Sequence, residues 1–203
     1  MKSKGLVLGV GAAVLLLLAL VGWRSLAKPY AYQGSLLETP VPAPDIELGD
    51  QHGNLFSLSE QRGQVTLMAF GYTNCPDVCP TTLAQFKQIK SGLGSAADSV
   101  RFVFITVDPE RDTPERLSLF LGAFDPDFTG LSGSRSDLEP VWQKYGVFQQ
   151  KHEPDSSGNY TVDHTSRIYA IDKNGNYRLT YPYDIDASAI VEDVRHLVEE
   201  DLQ

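Results

Sequence analysis

From residue 45 onward, short apolar runs and helical spacings take turns along the chain. Asp45–Leu48 and Leu55–Leu58 flank Gln51-His52-Gly53-Asn54, the pattern of a β-hairpin. Val65–Tyr72 (VTLMAFGY) is continuously apolar, which suits a central strand buried on both faces. Leu83, Phe86, Ile89 and Leu93 recur at helical spacing and predict a helix from Pro80 to about Ser91. Arg101–Val107 (RFVFITV) is a second buried strand. Thr113–Phe124 reads as a helix with Thr113 as cap, Pro114 in the first turn, and Leu117, Phe120 and Leu121 turned inward. Leu138–Tyr145 is a short helix. Arg167–Asp172 and Tyr177–Tyr181 bracket Lys173-Asn174-Gly175-Asn176, and Asn-Gly between strands is a hairpin signal. An amphipathic helix from Asp186 to Asp201 closes the chain, with Ile190, Val194, Leu197 and Val198 on its apolar side.

The predicted order is hairpin, β-α-β-α, short helix, hairpin, helix. Strands alternating with helices imply a partly parallel sheet covered on both faces, made mixed by the hairpin. The fold class is therefore α/β, with the element order of a thioredoxin-like domain carrying insertions.

The N-terminus differs in kind. Gly5 to Trp23 contains no charged residue, and as a helix it would span roughly 28 Å against ~30 Å of bilayer hydrocarbon. Lys2 and Lys4 in front favour a cytoplasmic N-terminus. Residues 1–24 are read as a single-pass anchor, or an uncleaved signal, that places the rest of the chain outside the cytoplasm. Ser25-Leu26-Ala27 offers the rival reading of a cleavage site. Residues 25–44 carry Pro29, Pro40, Pro42 and Pro44 and read as an extended linker. Residues 45–203 form the folded domain.

Composition narrows the function. A chain of 203 residues with 42% hydrophobic and 21% charged residues is globular, and a net charge of −9 argues against a nucleic-acid binder. Two cysteines are too few for a disulfide scaffold.

Those two cysteines stand in GYTNCPDVCPTTL, as Cys75 and Cys79, where the first central strand gives way to the first long helix. Pro80 is placed as the first helical residue and Cys79 as the N-cap, so its thiolate would meet free backbone N–H groups. A disulfide closing so short a loop removes little chain entropy, so chemistry is the better reason for the pair. Redox exchange through a Cys75–Cys79 disulfide and a soft-metal clip both remain open, and a third ligand would favour the metal. His52 lies in a hairpin turn, His152 in the charged loop KHEPD, and His196 on the polar side of the last helix. His164 sits at the mouth of a strand, with Asp163 beside it as a group able to orient the ring. Asp108 ends a strand near the cysteine edge and Asp112 begins the next helix; either tunes the thiols, meets a partner, or serves the chain turn alone. Asp77 forms the turn between the cysteines.

FGYTNCPDVCPTTL (Phe70–Leu83), TVDPERDTPERL (Thr106–Leu117) and VDHTSRIYAID (Val162–Asp172) together resemble the Sco/SenC family, over essentially Asp45 to the C-terminus. The resemblance implies a membrane-tethered thioredoxin-like protein that binds one copper ion, Cu(I) or Cu(II), through Cys75, Cys79 and His164. It also implies a part in maturing the binuclear copper site of cytochrome c oxidase, as copper chaperone or as thiol reductant. Partners would be the copper-bearing oxidase subunit and other copper chaperones or thiol reductants. The absence of an Arg- and Ser-rich transit peptide favours a bacterial inner membrane with the domain facing the periplasm.

Overall fold

The computed structural model describes residues 30–200, and the architecture is that of the compact unit beginning at Tyr32. The apolar run Gly5–Trp23, expected as the anchor, lies outside the described residues. Among the described residues no helix is long and apolar enough to cross a membrane.

Among the described residues ten strands and four α-helices alternate. The strands are β1 (Ser35–Pro42), β2 (Glu47–Asp50), β3 (Leu55–Ser57), β4 (Val65–Gly71), β5 (Val100–Thr106), β6 (Thr129–Ser132), β7 (Gln149–Lys151), β8 (Val162–His164), β9 (Arg167–Ile171) and β10 (Asn176–Pro182). The helices are α1 (Val78–Leu93), α2 (Pro114–Gly122), α3 (Arg135–Lys144) and α4 (Ala187–Glu199). Eight strands form one mixed sheet in the order β1-β10-β9-β4-β5-β6-β2-β3, while β7 and β8 make a separate two-stranded ribbon.

Strand β4 is buried at every position, as its unbroken apolar sequence requires. It pairs in parallel with β5 and antiparallel with β9. At roughly 1.5–3 kcal/mol for each large apolar side chain removed from water, this strand and its neighbours anchor the core. Thr113 caps α2 by accepting from the Arg116 amide, with Pro114 at the first helical position. Asp172 closes the β9–β10 hairpin by accepting from the Asn174 and Asn176 amides, and Gly175 takes φ 81° there, a conformation costly for other residues.

Several features differ from the sequence reading, the β7–β8 ribbon among them. The stretch expected as a free linker instead supplies β1, which pairs antiparallel with β10. The segment leading into it is also held: the buried Asp193 carboxylate of α4 accepts from the Gln33 and Gly34 amides. Proline is compatible with an edge strand, where its missing N–H faces outward. Strand β6 was not anticipated, because TGLS is too short for its periodicity to register. The helix expected from Leu138 begins a turn earlier, at Arg135, under a capping box of Ser134 and Asp137, and tolerates Pro140 within it.

Candidate metal centre

The register of β4 against its neighbours places the chemistry. Gly71 ends β4 opposite Thr106 at the end of β5, and Ala69 pairs with Ile168 near the start of β9. The chain leaving β4 and the chain approaching β9 therefore meet at one sheet edge. Cys75 lies on the first, Cys79 opens α1, and His164 lies on the second.

Three donor atoms converge there: the Cys75 and Cys79 sulfurs and a His164 ring nitrogen all lie within 4.8 Å of one another. The Cys79 sulfur is 3.5 Å from His164 Nε2. Both cysteines are free; Cys75 is half-buried and Cys79 is buried. The His164 ring is fixed from two sides. Its Nδ1 lies 3.2 Å from the Thr165 carbonyl while its Nε2 faces the sulfurs. The Tyr72 ring meets it edge-on at 5.9 Å.

The helix start corrects one expectation. Asp77, not Cys79, is the N-cap, so Cys79 falls within the first turn and Pro80 at its third residue. A proline is tolerated there because first-turn N–H groups have no partner within the helix. The thiolate assignment moves accordingly. Cys75 accepts from the Cys79 backbone N–H at 3.4 Å. Hydrogen bonding from the Cys79 thiol, with further help from His164 and the Asp77 and Cys79 amides, holds the Cys75 thiol far below its usual range despite partial burial. Cys79 moves the opposite way, pushed up by its bond to Cys75, by burial and by the neighbouring negative charge, Asp112 included. The two shifts run in opposite directions and favour the thiolate at Cys75 over Cys79.

Gly71 escaped the sequence reading. A Cβ there would lie 2.7 Å from the Cys79 sulfur and 2.7 Å from the Phe104 ring, so only glycine lets the buried sulfur rest against the end of β4. The single sequence signal is a glycine at the end of an otherwise bulky strand.

The four acidic residues separate in role. Asp112 is buried and accepts from the Thr73 amide, the Thr73 hydroxyl at 2.6 Å and the Thr106 hydroxyl at 2.7 Å. It thereby ties the cysteine loop to the end of β5. Burial pushes its carboxyl above the ordinary value, with the threonine donors opposing. Asp108, also buried, accepts from Arg111 and from the Tyr160 hydroxyl. Asp77 is exposed beside Cys75. Asp163 does not orient His164: it is exposed and pairs with His152 at 2.9 Å, because adjacent residues of β8 point to opposite sides. Of the two remaining histidines, His196 of α4 lies 3.5 Å from Glu200 just past the helix end, and His52 sits in the β2–β3 turn with its amide donating to Asp50.

Around Cys75 and His164 opens a cleft of about 360 Å³ lined by Pro76, Asp77, Val78 and Val162 among others. A single ion fits the donor set. Twice a metal–thiolate bond of about 2.3 Å is about 4.6 Å, in keeping with three donors that all lie within 4.8 Å of one another. Two sulfurs and an imidazole, without a carboxylate among them, select a soft or borderline metal over calcium or magnesium.

A family model described as SCO1/SenC matches residues 38–199. The chain belongs to the SCO1/SenC family. A SCO2-like protein of Rickettsia conorii is 38% identical over 193 residues, covering 94% of this chain and 92% of its own. Among solved structures, ScoI of Bradyrhizobium japonicum with copper bound is 36% identical, covers 77% of this chain and 99% of its own, and superposes with a TM-score of 0.71. Apo Sco1 of Thermus thermophilus is 37% identical, covers 84% and 99%, and gives 0.75. The thioredoxin-like mixed sheet expected from the element order is thus that of the Sco proteins, and the Cys75–Cys79–His164 convergence lies within the segment matched by the family model.

Proposed function

We propose that this chain is a copper carrier for the binuclear copper site of cytochrome c oxidase, holding one copper ion through Cys75, Cys79 and His164. The convergence of three soft donors from segments 85 residues apart is the observation that carries this reading. Family membership and the copper-bound Bradyrhizobium relative support copper as the metal. Two thiolates suit Cu(I), and the imidazole adds what Cu(II) prefers. The half-buried Cys75 at the cleft is the donor an incoming acceptor thiolate reaches first, so cargo would leave by ligand exchange from that side. In this reading the oxidase subunit that receives copper is the partner downstream, another copper chaperone or a thiol reductant stands upstream, and residues 1–24 tether the domain to the outer face of a bacterial inner membrane.

His164→Ala tests it. Losing a direct ligand is expected to weaken Cu(II) binding beyond the about 10–100-fold that loss of an outer-sphere partner costs, with Cu(I) affected far less. Equal Cu(II) affinity in variant and parent overturns the site.

One observation favours a second reading, thiol–disulfide exchange with oxidase cysteines. An ionised, reachable Cys75 above a buried, protonated Cys79 is the arrangement of an attacking and a resolving thiol. Cys75 would attack an acceptor disulfide and release one acceptor thiolate. Cys79, losing its proton, would then displace the second and leave the Cys75–Cys79 disulfide. A Cys79→Ser variant that traps a mixed disulfide, with function intact in His164→Ala, is the outcome this reading requires.

A further inference from the structure

We infer that Arg111, acting with Asp108 and Tyr160, is a positioning residue for His164: the loop after β5 is the mount that holds the third ligand against the sulfurs. The inference rests on the copper reading above. His164 ends β8, and β8 pairs only with β7, three residues against three. A ribbon of that size is not stable by itself in water, so its position is set by what it docks on.

Its docking contacts gather on residues 108–111 and on Tyr72. Arg111 Nε donates to the Asp108 carboxylate at 2.5 Å and Nη1 donates to the Tyr160 carbonyl at 3.0 Å, so one guanidinium bridges the two segments. The Tyr160 hydroxyl donates to the other Asp108 oxygen at 2.8 Å, closing a ring of three residues. The guanidinium carbon stands 3.5 Å from the centroid of the Tyr160 ring and 5.6 Å from that of Tyr72. These faces compensate Nη2, which is buried without a hydrogen-bond partner. Lys151 of β7 covers Tyr160 at 4.1 Å and pairs with Glu110. Tyr72, which meets the His164 ring, also accepts from the Val162 amide at 3.2 Å. Arg111 therefore touches both the segment that leads into His164 and the tyrosine against which the imidazole rests. None of its contacts is with a donor atom of the metal site.

The experiment uses the whole domain as Arg111→Ala, Arg111→Lys and Tyr160→Phe variants, with Arg111→Ala also made in a His164→Ala background. Without metal, amide hydrogen exchange at residues 162–164 is expected to quicken by about tenfold or more in Arg111→Ala while the β4 and β5 amides stay protected. With copper, Cu(II) affinity should fall by about 10–100-fold, the cost of losing an outer-sphere partner, and Cu(I) affinity much less. Lysine should not rescue, since a point charge cannot supply the fork that reaches Asp108 and Tyr160 together. In the His164→Ala background the Arg111 substitution should add no further Cu(II) loss. Unchanged exchange in the ribbon, or an equal loss with and without His164, overturns the inference. Should Arg111→Ala not fold, Tyr160→Phe, which keeps the ring and removes one closing hydrogen bond, is judged by the same two readouts. A parent that binds no copper defeats the copper reading, while the metal-free exchange still decides whether this mount exists.

Discussion

Asp112→Ala should loosen the metal centre without touching a ligand. The substitution removes the acceptor of three donors, the Thr73 amide, the Thr73 hydroxyl and the Thr106 hydroxyl. Thr106 is fully buried and Thr73 only partly, so water can replace the lost partner at Thr73 alone. A buried donor left unsatisfied costs about 1–3 kcal/mol. Relief of the carboxylate's own burial offsets part of this, leaving about 1–2 kcal/mol of destabilisation. For a domain of this size that is a fall in Tm of about 2–8 °C. Asp112→Asn, which keeps one acceptor oxygen and the shape, should lose less. The pH dependence carries a sign. Burial raises the folded carboxyl above its unfolded value, so the folded state binds the proton more readily, and stability falls as pH rises from the unfolded pKa through the folded one. The parent should therefore gain on Asp112→Asn as pH is lowered through that window. Urea unfolding of the three proteins across the acid range measures both effects. An Asp112→Ala domain as stable as the parent, or a parent that loses ground to Asp112→Asn on acidification, refutes the reasoning.

Two other outcomes follow from the same geometry. Under native conditions Cys75 should alkylate first and at a nearly constant rate from about pH 5 to 8, since its thiolate is already formed there; peptide mapping that finds Cys79 first, or a rate climbing tenfold per pH unit, contradicts the assignment. Gly71→Ala should displace the Cys79 sulfur or the Phe104 ring, since neither can stay 2.7 Å from a methyl carbon. The overpacking costs about 1–3 kcal/mol, and a calorimetric Tm equal to the parent's would show that the strand end has room to spare.

Much of this was legible from pattern. Strands β4 and β5 announce themselves because strands buried on both faces need apolar residues at every position. The cap of α2 follows from Thr113-Pro114, since both residues act on the first turn and nowhere else. The cysteine pair was placed at the mouth of α1 as the pattern predicts, but the stabilised thiolate expected at Cys79 is favoured at Cys75 instead. That preference depends on which thiol donates to the other and on burial, and no spacing rule encodes it. The tether that turned out to be β1 shows the same limit. An extended proline-rich segment reads alike whether it is solvated or paired, and only the presence of an open β10 edge decides.

What the sequence determined by itself was the set of chemical groups: two thiols at a helix mouth, a strand-end histidine, and an alternation of elements that fixes the fold class. What only the tertiary structure decided was their meeting. Nothing local links Cys79 to His164; they come together because β9 lies antiparallel beside β4 in a register that brings the beginning of one to the end of the other. The same holds for Asp108, Arg111 and Tyr160, whose partnership depends on a ribbon folding back over a loop some fifty residues earlier in the chain. Periodicity encodes which face of an element is buried, whereas register between distant elements is settled by the packing of the whole sheet.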